Sequence, residues 1–180
     1  MIRKIGLFVV CCFMVAISVT FVGSADYVAA ESGLCLRRTP SDNGDVIEVL
    51  PIGTEVPEPK SDWVKYKNGF LSAEWVVDEN PLKEVGDWRV TAYASTGSAC
   101  ANGEMPEVGK TIAQNTLSFG TKVYIEGVGV RVVQDRGPSS LGSEWCDLYL
   151  GDVGSCVSWG DQYRKVYLVD SSELEKGKEG

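Results

Sequence analysis

The sequence predicts an all-β protein with one short helix, built as two small barrels. Short runs rich in Val, Ile, Tyr and Trp recur along the chain, and turn-forming Gly, Pro, Asn and Asp residues separate them. Between residues 88 and 170, six such runs leave room for a single helix. We expect that region to close into a barrel, because closure removes exposed strand edges.

Residues 1–30 have the features of a secretory signal peptide. Arg3 and Lys4 precede an apolar run over 5–22, and small residues follow that run. The run is close to the lower length limit for a membrane span, so an uncleaved N-terminal anchor is the alternative. We therefore expect a secreted, extracellular or cell-wall associated protein that meets the membrane only if this segment is uncleaved.

The chain is acidic and contains no histidine. Its formal net charge of −8 argues against nucleic acid as a partner and against simple electrostatic capture by anionic cell-wall polymers. The lack of histidine removes histidine-based triads, Cys-His proteases and His-ligated zinc hydrolases. Any enzymatic chemistry is therefore expected from carboxylates, in a monomer without a cofactor.

Four cysteines follow the predicted signal peptide: Cys35, Cys100, Cys146 and Cys156. An exported chain with an even number of cysteines permits disulfides, and four cysteines allow three pairings. The short separation across a strand-to-helix connection favours Cys146 with Cys156. Zinc binding is the competing interpretation, but the chain has neither Cys-x-x-Cys spacing nor histidine, so no metal site is predicted.

The first predicted domain covers residues 31–78. Its β-prone runs and intervening turns indicate a small all-β barrel; the runs lie at 34–36, 46–50, 54–56, 63–66 and 69–71. Segments of this region resemble a bacterial SH3 domain; they are 34–37, 50–54, 62–66 and 69–71. The resemblance implies a cell-wall-binding or positioning role, because such modules commonly accompany enzymes that act on peptidoglycan.

A charged, proline-containing segment at 79–87 is predicted to be a linker, and a polar tail at 171–180 is predicted to be disordered. The second domain occupies 88–170 between them. Its predicted strands lie at 88–94, 110–113, 121–126, 128–134, 144–150 and 164–169, with the helix at 151–159. Alternation in the first of these strands predicts that Val90 and Ala92 share one face.

Two aspartates are the strongest candidates for chemistry. Asp135 and Asp147 interrupt runs that have the composition of buried or half-buried strands, where ionised carboxylates are rare. The structural alternative for Asp135 is a turn-capping role, and for Asp147 it is an outward strand position. That alternative is weaker for Asp147, because aspartate is depleted in strands.

An ordered series of segments in the second domain resembles the three-aspartate domain of bacterial cell-wall enzymes; the segments are 112–113, 119–125, 134–137, 145–149, 159–160 and 166–169. This resemblance implies a six-stranded double-psi β-barrel, similar to the barrel of lytic transglycosylases. Asp135 falls on the family's second aspartate and Asp147 on its third, which is similar to the transglycosylase catalytic acid. The first aspartate is absent, and Asn115 is the nearest match. The family's Asp-Thr-Gly becomes Asp-Arg-Gly at 135–137.

The resemblance implies a lytic-transglycosylase-like peptidoglycan hydrolase that cleaves the MurNAc-GlcNAc β-1,4 bond with one carboxyl group. In this hypothesis Asp147 is the acid and then the base, and Asp135 is its tuning neighbour. Substrate-binding roles are expected for Asn115, Arg136, Trp145 and Tyr149, although a solvated loop position is the alternative for Arg136. The missing first aspartate favours the main alternative, a non-catalytic peptidoglycan-binding or wall-loosening protein. A secreted module that binds another protein is a third possibility.

Overall fold

The computed structural model describes residues 25–176, which form strands, two short α-helices and one 3-10 turn at Ala73–Trp75. The all-β prediction with a closed six-stranded barrel is confirmed. Most of the predicted signal peptide, up to residue 24, lies outside the described residues, as does the end of the predicted tail from 177 to 180. Among residues 25–176, no helix has both the length and the apolar character needed to cross a bilayer.

The N-terminal part of the described chain contains two small antiparallel sheets. The bounds of their strands are β1 Ala25–Val28, β2 Leu34–Arg37, β3 Val46–Leu50, β4 Glu55–Pro57, β5 Trp63–Tyr66, β6 Gly69–Ser72 and β7 Val76–Val77. The sheet orders are β4-β1-β7 and β3-β2-β6-β5. Alternate side chains such as Val28, Leu36 and Leu71 are fully buried between them. Strands β2 to β6 match the five runs predicted from composition, whereas the SH3 resemblance itself remains a prediction.

Strand β1 lies in a segment assigned from sequence to the signal peptide. It is the middle strand of its sheet and pairs with both β4 and β7. Val28 is 0% exposed and Ala29 is 1% exposed. Small residues suit a tightly packed strand end as well as they suit a signal-peptidase site, so composition alone does not distinguish the two. Cleavage after Ala30 would remove a paired strand from the fold.

The remaining strands form a closed barrel with the order β10-β11-β9-β12-β8-β13. Their bounds are β8 Leu82–Ala94, β9 Thr111–Ala113, β10 Lys122–Ile125, β11 Gly129–Asp135, β12 Trp145–Gly151 and β13 Gln162–Val169. The β11/β9 and β12/β8 pairs are parallel, and the other pairs are antiparallel. The barrel interior is filled by apolar side chains, including Val90, Ile112, Val133, Leu148 and Val166.

The predicted short helix is present as α1, Val153–Trp159, between β12 and β13. Asp152 caps it, because its side chain accepts a hydrogen bond from the backbone N–H of Ser155. This cap satisfies one of the N–H groups that a helix start leaves without an intrahelical partner.

Two segments differ from the sequence prediction. Strand β8 is 13 residues long and pairs with β13 as far as Leu82, so residues 82–87 belong to the barrel sheet and not to a linker. Its charged residues Lys83, Glu84 and Asp87 are exposed on a paired strand, and they gave the segment a linker-like composition. Residues 171–176 form helix α2, Ser171–Lys176, where a disordered tail was predicted. Its Leu174 is 4% exposed, and this one apolar contact anchors a polar segment.

A third apolar cluster joins the N-terminal sheets to the barrel. Ala29, Ile52 and Val77 pack in it together with Val169 of β13 and Leu174 of α2. An ion pair of 2.5 Å between Lys122 and Glu31 lies beside the same junction. The two halves of the molecule are therefore packed against each other directly.

All four cysteines in the described part of the chain are free thiols, so the expected Cys146–Cys156 disulfide is not present. Cys146 belongs to the barrel core and is 0% exposed, whereas Cys156 is half-buried on α1. The prediction failed because the strand alternation directs Cys146 into the barrel interior, away from the helix that follows.

Candidate functional site

The two predicted aspartates lie in one row across four adjacent strands of the barrel. Asp135 on β11 pairs in register with Ala113 on β9, and Ala113 pairs with Asp147 on β12. Asp147 then pairs with Thr91 on β8. Neighbouring strands are about 4.8 Å apart, so the backbones of the two aspartates are about 10 Å apart. We call these four residues the aspartate row.

The row lies on the outer face of the barrel. On β12, Cys146 and Leu148 point into the core, so Trp145, Asp147 and Tyr149 point to the opposite side. The same alternation on β8 directs Val90 inward and Thr91 outward. Asp147 is nevertheless only half-exposed, and Gly137 of the following loop lies against its neighbour Trp145.

Asp147 accepts a hydrogen bond of 2.7 Å from the Thr91 hydroxyl at its Oδ1. The Thr91 oxygen in turn accepts a hydrogen bond of 3.1 Å from the indole Nε1 of Trp145. Trp145 is 4% exposed, so its ring is part of the support of the site and not an open stacking platform. The relay from Trp145 through Thr91 fixes the orientation of the Asp147 carboxyl group.

Burial raises the pKa of Asp147 above the usual range of an aspartate, and the negative charge of Asp135 raises it further. The Thr91 hydrogen bond acts in the opposite direction, since it stabilises the carboxylate. Burial is the largest of these effects. A carboxyl group with a raised pKa is suited to donate a proton near neutral pH.

Asp135 is held by three donors. Its Oδ1 accepts hydrogen bonds from the backbone N–H groups of Ala101 at 2.9 Å and Arg136 at 2.8 Å. Its Oδ2 accepts a longer bond of 3.2 Å from the Tyr93 hydroxyl. These three hydrogen bonds fix the position of the Asp135 carboxyl group near Asp147.

Tyr93 and Tyr149 form an aromatic pair beside the row. Their ring centroids are 5.3 Å apart with an interplanar angle of 59°. The hydroxyl of Tyr93 also donates to Asp135, so this tyrosine links β8 to the end of β11. Burial is the main cause that raises the pKa of Tyr93, so its hydroxyl remains a proton donor throughout the neutral range.

Asn115, the residue predicted to lie nearest to the position of the family's first aspartate, binds the neighbouring loop. Its Nδ2 donates to the carbonyl oxygens of Pro138 at 3.0 Å and Leu141 at 3.5 Å. Its Oδ1 accepts a 3.0 Å bond from the backbone N–H of Gly137. Both ends of the amide are therefore used to hold loop 137–141, and its predicted contact with substrate remains a prediction.

Arg136 is half-buried, and its guanidinium contacts two other parts of the chain. Its guanidinium stacks over the Phe119 ring, with 3.8 Å from Cζ to the ring centroid. Nη1 also donates to the backbone carbonyl of Gln114. The contacts of Arg136 thus connect the end of β11 to the segment after β9.

A cavity of about 490 Å³ lies on the same outer face as the row. Arg89 of β8 and Trp145 of β12 line part of it, and these two residues pair in register with each other. Arg89 precedes Thr91 by two residues, and Trp145 precedes Asp147 by two residues. Leu141 and Tyr163 line its other sides. The cavity therefore lies next to the aspartate row, two residues away from it along β8 and β12.

Sequence reasoning named both aspartates but missed Thr91, Tyr93 and Gln114. Gln114 is 0% exposed, and its side-chain oxygen accepts from the backbone N–H groups of Thr116 and Leu117. The outward positions of Thr91 and Tyr93 follow from the alternation of β8, so polar residues on that face were an available signal. Within residues 25–176, no group of three or more Cys, Asp or Glu side chains is arranged to hold a metal ion.

Comparison with known proteins gives one partial relative. A Bacillus subtilis (strain 168) protein described as "Putative cell wall shaping protein YabE" is 25% identical over 132 residues, which cover 68% of this chain and 32% of the relative. The chain thus spans about a third of the length of the curated relative it matches. No family model matches the chain. No solved structure matches it either.

Proposed function

We propose that this protein acts on the bacterial cell wall and cleaves peptidoglycan glycan strands in the manner of a lytic transglycosylase. The observation that carries this proposal is the aspartate row, which sets a half-buried Asp147 two strands from Asp135. The B. subtilis relative supports a wall role through its description alone.

In the proposed reaction, protonated Asp147 donates its proton to the glycosidic oxygen as the bond from C1 to that oxygen breaks. The resulting carboxylate accepts the proton of the sugar's C6 hydroxyl as that oxygen bonds to C1. The product is a 1,6-anhydro sugar, and neither an activated water nor a second nucleophile is needed. The raised pKa of Asp147 supports the first step, because burial makes this carboxyl group hold its proton more tightly than an exposed aspartate does.

The other members of the site have supporting roles in this proposal. Thr91 orients the acid through its 2.7 Å hydrogen bond. Asp135 supplies a fixed negative charge, which raises the pKa of Asp147 and stabilises the positive charge that develops on the sugar. The cavity beside Arg89 and Trp145 is large enough for one sugar ring and its substituents. Tyr149 extends the same face.

The test is incubation of the purified protein with peptidoglycan, followed by mass spectrometry of the soluble products. We expect 1,6-anhydromuropeptides from the native protein and none from Asp147→Asn. The matched control is Asp45→Asn, which removes an exposed carboxyl group in the N-terminal sheets and should leave the products unchanged. Release of no anhydro product by the native protein would contradict the proposal.

A non-catalytic wall-binding protein is the second candidate. Asn115 favours it, since the residue nearest to the absent aspartate is an amide whose two ends hold loop 137–141. In that case the native protein would sediment with insoluble peptidoglycan but release no fragments. Asp147→Asn would then leave sedimentation unchanged.

A further inference from the structure

A groove at the junction of the two halves carries positive charge, although the chain as a whole is acidic. Its volume is about 570 Å³, and its charged lining residues are Lys110, Lys122, Arg131 and Glu31. The whole chain has 25 acidic and 17 basic residues, so acidic residues predominate in it. In the lining of this cavity basic residues predominate, with three against one acidic residue. We call this cavity the junction groove.

The two lysines of the groove already have partners. Lys122 forms the 2.5 Å ion pair with Glu31, and Lys110 forms a 2.6 Å ion pair with Glu107. Both pairs are at least partly exposed, so each contributes little binding energy and leaves lysine donors free. The two lysines therefore place positive charge at the rim of the junction groove.

Arg131 is different, because it has no acidic partner. Among residues 25–176, no carboxylate lies within ion-pair distance of its guanidinium. Its one hydrogen bond joins Nη1 to the carbonyl oxygen of Val130 at 2.7 Å. Burial lowers the pKa of Arg131, with no nearby carboxylate acting against it. A half-buried cation without a counter-charge is costly, and a bound anion would offset that cost.

The backbone around Arg131 leaves room for a ligand. Arg131 pairs in register with Val123, a barrel-core residue, so its side chain starts on the inner face near one end of the barrel. Gly129 lies on the same face, and a Cβ there would lie 3.6 Å from Nη1 of Arg131. Gly109, Gly129 and Ser32 also line the groove.

We propose that the junction groove binds an anionic group of the carboxylate or phosphate type, with Arg131 as its principal contact and Lys110 as a rim contact. Planar guanidinium groups bind both kinds of oxyanion through paired N–H donors. The site is separate from the aspartate row, since none of the row residues lines it. It does not depend on glycan cleavage. The choice of a wall stem peptide as one probe below rests on the proposed cell-wall role.

The experiment is a titration of the full chain, labelled with nitrogen-15, with inorganic phosphate and separately with acetate at constant ionic strength. We expect saturable shifts of the Gly109 and Gly129 amide signals with at least one of these anions. Arg131→Gln should weaken that binding about tenfold or more, and Lys110→Gln should weaken it severalfold. The control Lys165→Gln removes an exposed lysine paired with Glu84 at 2.7 Å and should change binding less than twofold.

Two further arms identify the source of the anion. A stem peptide with free carboxylates is compared with the same peptide after amidation. Tighter binding of the free form assigns the groove to a peptide carboxylate, whereas phosphate binding without peptide binding assigns it to a phosphate group. The proposal is overturned if neither anion shifts the two glycine signals, or if Lys165→Gln weakens binding as much as Lys110→Gln. If Arg131→Gln does not fold, the comparison of the two lysine variants decides the outcome.

Discussion

The Thr91 hydroxyl donates to Oδ1 of Asp147 at 2.7 Å while accepting from the buried indole N–H of Trp145. One side chain therefore both orients the candidate acid and satisfies a tryptophan that is 4% exposed. We expect Thr91→Val to lower the free energy of unfolding by about 1–3 kcal/mol, because the Trp145 N–H loses its partner. Urea denaturation measures this effect.

The same variant should raise the pKa of Asp147 further, since the lost hydrogen bond stabilises the carboxylate. Thr91→Ser is the matched control, because it keeps the hydroxyl and should retain both the stability and the pKa. Carbon-13 titration of the Asp147 carboxyl group by NMR provides the readout. Equal pKa values in the Val and Ser variants would contradict this assignment.

A raised pKa of Asp147 makes the stability of the protein depend on pH. The folded state holds the Asp147 proton more tightly than the unfolded chain does, so the favourable contribution is complete at low pH. It is lost as pH rises through the folded-state pKa. Asp147→Asn cannot ionise, so we expect it to become more stable relative to the native protein as the pH increases from 3 to 7. Urea denaturation at several pH values checks the trend, and a constant difference would contradict it.

The ring of Trp145 leaves no space for a side chain at position 137, which is a glycine. A Cβ at this position would overlap the indole, so we expect Gly137→Ala to cost about 1–3 kcal/mol of unfolding free energy. Gly142→Ala in the same loop is the control, since no atom lies within 4 Å of its new Cβ. Chemical denaturation of the two variants makes the comparison, and equal stabilities would show that the loop moves freely away from Trp145.

Restoring an aspartate at position 115 should not restore a three-carboxylate site. Asn115→Asp loses the Nδ2 donor and places a negative charge against the carbonyl oxygens of Pro138 and Leu141. We expect a loss of about 1–2 kcal/mol and no gain in anhydromuropeptide release. Asn68→Asp adds the same charge at an exposed turn and is the control. Higher activity of Asn115→Asp would show that holding loop 137–141 is not the role of this side chain.

Strand β1 should be essential for the N-terminal sheets. A chain that begins at Glu31 lacks the fully buried Val28 and the strand between β4 and β7. We expect it to be less stable than a chain that begins at Ala25 by about 3 kcal/mol or more. Thermal and urea unfolding of the two chains test this, and equal stability would mean that β1 is dispensable.

Strand positions were predictable because strands such as β2, β6 and β10 bury every second residue, and that period is visible in the order of side chains. The positions of strand β1 and helix α2 were not predicted, because small residues surround the first and a single leucine anchors the second. Both aspartates were identified because a carboxylate in a strand is unusual. Thr91 was missed, because its bond to Asp147 joins residues 56 positions apart and depends on strand register. The loop-holding role of Asn115 is hidden for the same reason.

The apolar contact among Ala29, Val77 and Val169 has a mechanical consequence. It limits rotation of the N-terminal sheets relative to the barrel. A ligand that contacted both halves would therefore meet them at a fixed separation.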